Sequence, residues 1–193
     1  MMMRHLLLLS AAALALSACG GRADTENTAT ANMAADNFAM ASNDPVTDAP
    51  VLAAVDFVPK AAMSDMYEIE SSKLALKSAA DPKIKAFAQQ MIDGHTKTTA
   101  ELKAAIKQDN VIVLPPAKLD AEHQALVDAL KGAKGPAFDT IYRTQQLDSH
   151  AKALALHQGH AGGGDKSALK AFAAATAPKV KMHLDMLKAM PAA

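Results

Sequence analysis

Four residues stand out for their chemistry because each interrupts an apolar row: Glu70, His95, His150 and His183. Glu70 lies midway between Met66 and Leu74, and His95 sits one helical turn after Met91. His150 falls between Leu147 and Leu154, and His183 between Val180 and Leu187. Spacings of three and four residues put each on the helix face that its apolar neighbours turn toward a core. Three imidazoles and a carboxylate gathered there would suit one transition-metal ion: zinc, iron or copper. The alternative is a buried polar layer in which the groups hydrogen-bond one another, Glu70 to His95 for example, and fix helix register. A third arrangement leaves one or two of them at the surface. A carboxylate-bridged di-iron centre is not expected. It uses a Glu-x-x-His pair on each of two helices, and the residues three before these histidines are Ile92, Leu147 and Val180.

Other candidates have less behind them. His157-x-x-His160, with Asp165 nearby in a glycine-rich stretch, reads as a solvated turn or a surface metal site. Met182, Met186 and Met190 form one stripe, the pattern of copper-handling methionines but more simply of core filling. Glu122 and His123 are expected at the surface. The chain has no Gly-x-Ser-x-Gly, phosphate-binding loop or dinucleotide fingerprint. No catalytic residue is assigned.

The elements that carry these residues read as helices. The central one starts at Asp81-Pro82, an N-cap followed by proline in the first turn, and runs to about Gln108. A preceding helix over residues 57–79 meets it with almost no connection, which makes an antiparallel hairpin. After the apolar and proline-rich NVIVLPPAK comes a short helix ending at Lys131-Gly132. Pro136 opens a long helix to about Gln158, GHAGGGD reads as a turn, and Asp165 is placed to cap a last helix over residues 166–190. Pro178 is expected to kink or split that helix. The expected fold is all-α: a ferritin-like four-helix bundle with a short extra helix in the crossover.

The front of the chain is of a different kind. Residues 1–18 read as a secretory leader, with Arg4 and His5 before an apolar run. That run is too short to span a membrane. Leu16-Ser17-Ala18-Cys19 has the form of a bacterial lipobox, and Cys19 is the only cysteine. Lipidated Cys19 would begin a disordered tether, residues 19–56, before the bundle domain of residues 57–190. Gly20 after the cysteine favours an outer-membrane anchor in a Gram-negative bacterium, facing the periplasm. Basic and acidic side chains balance at 20 each. No nucleic-acid partner is expected, and membrane attachment would come from the lipid rather than from charge.

The order and spacing of several short motifs carry a resemblance. They are Phe57, Glu68-Ile69-Glu70, Phe87-Ala88 with Asp93-x-His95, Leu114-Pro115, Phe138-Asp139 with Tyr142, His150, and Pro178 with His183. Together they resemble a bacterial family of outer-membrane proteins that share a ferritin-like helical domain of unknown function. The resemblance implies the fold, export and an envelope location, and brings no activity, cofactor or catalytic residue. The leading reading is thus a non-enzymatic binding or envelope-stress module with a protein partner in the envelope. The alternative is metal sequestration or sensing inside the bundle.

Overall fold

A computed structural model describes residues 52–191. The leader, Cys19 and nearly all of the tether lie outside the described residues. Within them the chain forms five helices and no strand: α1 (Ala54–Ser78), α2 (Pro82–Gln108), α3 (Ala121–Lys131), α4 (Gly135–Gly163) and α5 (Ser167–Ala189). No helix among the described residues is long and apolar enough to cross a membrane.

The four long helices close a ring in which α1 packs on α2 and α4, and α5 packs on α4 and α2. Contacts at the helix ends give their directions. The end of α1 meets the start of α4, where the Asp139 carboxylate accepts from Ala80 N at 3.1 Å and Asp81 N at 2.9 Å. The end of α2 meets the start of α5, where Asp109 accepts from Ala168 N at 3.1 Å and Leu169 N at 2.9 Å. The start of α1 meets the α4–α5 turn, where Asp165 accepts from Ala54 N at 2.7 Å. Neighbouring helices in the ring are therefore antiparallel, and the connection from α2 to α4 travels the length of the ring. The short α3 lies on that connection and packs outside, on α1 and α4.

These aspartates do what N-cap side chains do, from a distance. Asp81 and Asp120 cap their own helices, accepting from Lys83 N and His123 N. The expected cap of α5 by Asp165 is not formed. Lys166 holds the cap position without a side-chain bond, Asp165 serves α1, and Asp109 satisfies the orphan N–H groups of α5. At its other end α2 closes with Asn110 at φ 52°, with Asn110 N bonded to Lys107 O and Val111 N to Ile106 O. That is the left-handed C-terminal turn that asparagine tolerates.

Two expectations about helix breaks need correction. α5 runs through Pro178 as one helix, so the split expected there does not occur. Pro178 and Ala174, whose carbonyl loses its partner to the proline, are both on the exposed side, where water takes the place of the missing N–H. α4 continues past Gln158 to Gly163, because His157, Gly159 and His160 are buried there and tertiary packing overrides the low helix propensity of glycine.

The interior is apolar at both ends and polar in the middle. One core gathers Phe87, Met91, Leu130, Phe138, Tyr142 and Leu187. The other gathers Phe57, Val58, Leu102, Leu169 and Phe172. Between them lies a buried band holding Asp65, Glu68, Ser72, Gln146 and three histidines.

Candidate metal centre

His95 on α2, His150 on α4 and His183 on α5 meet in this band. Their ring centroids lie 6.0, 6.1 and 5.6 Å apart. One nitrogen from each falls within 4.8 Å of the others. The buried nitrogens His95 Nε2, His150 Nε2 and His183 Nδ1 have no hydrogen-bond partner among the described residues. Three of the four residues singled out by the apolar-row pattern are thus brought together.

Two of the rings are held by their other nitrogen. His95 Nδ1 lies 2.8 Å from Asp65 Oδ1, and the hydroxyls of Thr98 and Thr99 donate to the same carboxylate at 2.9 and 3.0 Å. His150 Nδ1 donates to the Gln146 carbonyl one turn earlier, at 2.9 Å. Each bond occupies Nδ1, which leaves Nε2 as the nitrogen that can offer a lone pair once it carries no proton, the arrangement by which ligand histidines are oriented.

Glu70 does not belong to the site. It is exposed, and Glu68, two residues earlier, is buried in its place. α1 buries Phe57, Val58, Ala61, Asp65, Glu68, Ser72 and Ala75, a row at spacing near 3.5 that includes two carboxylates. An apolar-row criterion applied to α1 selects Met66, Leu74 and Leu76 instead, and Leu76 is exposed. Asp65 and Glu68 were detectable only as the continuation of the Phe57, Val58, Ala61 row. Glu68 Oε1 lies 3.7 Å from His150 Nδ1, and neither carboxylate oxygen has a hydrogen-bond partner.

Burial, with the charge of His95 second, pushes His150 down to about 3 and His183 down to about 4. Both are neutral imidazoles at neutral pH. Burial also works against the imidazolium of His95, but the hydrogen bond to Asp65 and the charges of Glu68 and Asp65 outweigh it, and its pKa is raised. Burial lifts Glu68 to about 7, opposed by His95. A divalent ion beside two buried carboxylates would be charge-balanced, and would displace the proton from His95 Nε2.

The remaining candidates fall elsewhere. His157 and His160 are buried in the last turns of α4 rather than solvated in a loop. His160 Nδ1 donates to Leu52 O at 2.8 Å, and its ring stacks on Phe57 at 3.9 Å. Gly164 packs against that ring so closely that a Cβ there would lie 2.6 Å from His160 Cε1. Met186 and Met190 pack on the apolar core, while Met182 is exposed. Half-buried His123 bonds to Asp120.

A cleft of about 170 Å³ reaches the cluster between α2 and α5 and is lined by His95, His183, Gly94 and His157. A Cβ at Gly94 would meet His183 Cε1 at 3.6 Å, an ordinary contact. A larger groove of about 620 Å³ lies between α1, α4 and the crossover, and no residue of the cluster lines it.

No curated protein and no solved structure matches the chain. One protein-family model does, over residues 28–190, a span that includes part of the stretch read as a tether. The chain belongs to the family defined by that domain of unknown function, DUF4142.

Proposed function

We propose that this protein binds one divalent transition-metal ion, zinc, iron or copper, through His95, His150 and His183, with Glu68 and Asp65 as its counter-charges. The observation that carries the reading is a cluster of three imidazoles in which one nitrogen from each lies within 4.8 Å of the others. Each ring keeps a buried nitrogen without a hydrogen-bond partner among the described residues. A polar layer built for helix register would pair these groups, since each buried polar atom left unpaired costs on the order of 1–3 kcal/mol. Ligand bonds of about 2.0–2.1 Å in a tetrahedral site put the nitrogens about 3.4 Å apart. The present separations are at most 4.8 Å, so binding would require the rings to close by up to about 1.4 Å.

The role fits metal sequestration or sensing, with no residue assigned to catalysis. The antiparallel ring with one long crossover fits a ferritin-like four-helix bundle, here with a histidine site in place of Glu-x-x-His pairs. Lipidated Cys19 would hold this domain at the periplasmic face of the outer membrane. The lipobox-like Leu16-Ser17-Ala18-Cys19 and the balanced charge support that location.

The test is metal content by mass spectrometry on protein exported to the periplasm and purified without chelator or affinity tag. One ion per chain, absent from His95→Ala, is the expected result. A metal-free protein that gains no thermal stability from zinc, iron or copper refutes the reading.

A further inference from the structure

We propose that the cleft between α2 and α5 is a chamber for a small anion, which takes the open coordination position of the bound ion. The proposal rests on the metal reading above. The three histidines supply three ligands, and a fourth position remains for an exogenous group. His95 and His183 line the cleft whereas His150 and Glu68 do not, so the open position faces it.

The cleft lining also carries buried polar groups outside the cluster. His157 from α4 and Thr176 from α5 line the same cleft and are buried, at 5% and 3% exposure. Among the described residues His157 Nδ1 and Thr176 Oγ1 have no hydrogen-bond partner. Neither belongs to the metal cluster, and both can donate to an acceptor in the cleft. Asp65 also lines it, but its carboxylate oxygens are taken up by His95, Thr98 and Thr99. At the rim Lys97 and Lys179 stand against Glu101, at 3.9 and 3.1 Å, which leaves one positive charge in excess.

Size narrows the class of ligand. A volume of about 170 Å³ is well below the roughly 300–1,000 Å³ of pockets that enclose drug-sized molecules. It is on the order of a few water molecules. Nucleotides, sugars and peptides are excluded, and the fit is to a triatomic or similarly small anion with acceptor atoms at both ends. One end would meet the ion, and the other the donors of His157 and Thr176.

Azide is the probe, and the full chain loaded with Co(II) is the sample. Co(II) bound by the three histidines has visible bands that change when a further ligand joins. Titration with sodium azide should give a saturable change in the wild type. The apparent Kd should rise about tenfold in Thr176→Val and in His157→Gln, the loss of one good hydrogen bond, and Thr176→Ser should restore it. Circular dichroism would show that the variants fold, and the conservative Thr176→Val keeps the test open should His157→Gln fail to fold. Bound Co(II) whose spectrum azide leaves unchanged overturns the chamber and spares the metal site. So does an azide response that is the same in the wild type and the variants. A chain that binds no Co(II) overturns the metal reading, and the chamber with it.

Discussion

Replacing Glu68 by glutamine should stabilise the metal-free protein and weaken the metal-bound one. Glu68 is buried with both oxygens unpartnered, and burial lifts its pKa from 4.5 to about 7. The unfolded chain releases this proton near the lower value and the folded chain near the higher one. Between them the unfolded state binds fewer protons, so stability falls as pH rises from 4.5 to 7 and stays low above that. At about 1.4 kcal/mol per pKa unit, the ionised carboxylate costs the metal-free fold about 3 kcal/mol. Glutamine has nearly the same shape and no charge, and its amide has an acceptor in the unpartnered Oε1 of the neighbouring Gln146. In chelator near pH 8, Glu68→Gln should therefore raise Tm by roughly 5–10 °C for a domain of this size. Near pH 5.5, where the wild-type group is mostly protonated in the folded state, the gain should shrink to about 1 kcal/mol. With metal present the sign reverses. Loss of a counter-charge beside the ion should lower affinity about 10–100-fold. Thermal melts by circular dichroism at both pH values, with and without metal, read both effects. A variant that melts below the wild type in chelator at both pH values, or that binds metal as tightly, refutes the reasoning.

Other expectations follow from the same geometry. Metal affinity should fall as pH drops below neutrality, because the ion competes with the proton on His95, whose pKa is raised. A metal-binding titration over that range checks it. In the metal-free protein His150, His157 and His183 have lowered pKa values, so the unfolded state takes up protons first and stability falls with falling pH. The loss should begin near pH 6.5 and level off below about pH 4, where folded His157 and His183 take up protons as well, and an acid titration followed by circular dichroism measures this. Gly164→Ala should destabilise by about 1–3 kcal/mol, since its Cβ meets His160 at 2.6 Å. Gly162→Ala, with open space around it, should instead stabilise α4 by up to about 1 kcal/mol, and parallel melts compare the two. Asp139→Ala strands two N–H groups at the α1–α2 turn and should cost roughly 3 kcal/mol in denaturant unfolding.

His95 and His183 were legible in the sequence because α2 and α5 bury strongly apolar rows, against which an imidazole is conspicuous. α4 instead buries Asp139, Gln146 and His157 beside His150, and the Leu147 and Leu154 that frame His150 are only half-buried. Phe87, Met91 and Leu102 frame His95, and Val180 and Leu187 frame His183. α1 inverted that contrast. Its buried row carries Asp65, Glu68, Ser71 and Ser72 while Leu76 faces solvent, so Glu70 was selected and Glu68 was not. The end of α4 was hidden for a related reason. GHAGGGD has the composition of a turn, and only the long-range contacts of His160 with Leu52 and Phe57 hold part of it in a helix. Gly94, awkward as an interior helix residue, borders the cleft, where a small residue leaves the approach to His183 open. The stretch before residue 52 was read from motif and composition alone.

The three histidines do not come from one half of the ring. His95 belongs to the α1–α2 hairpin, and His150 and His183 to the α4–α5 hairpin. Each hairpin forms from local contacts, but the complete ligand set exists only after the two have docked across the long crossover. If the folding barrier is crossed before the hairpins dock, an ion held there would bind after the transition state. Interactions absent from that transition state slow unfolding and leave the folding rate unchanged. Bound metal would act as a kinetic clasp between the hairpins, setting how long the folded chain lasts rather than how fast it forms.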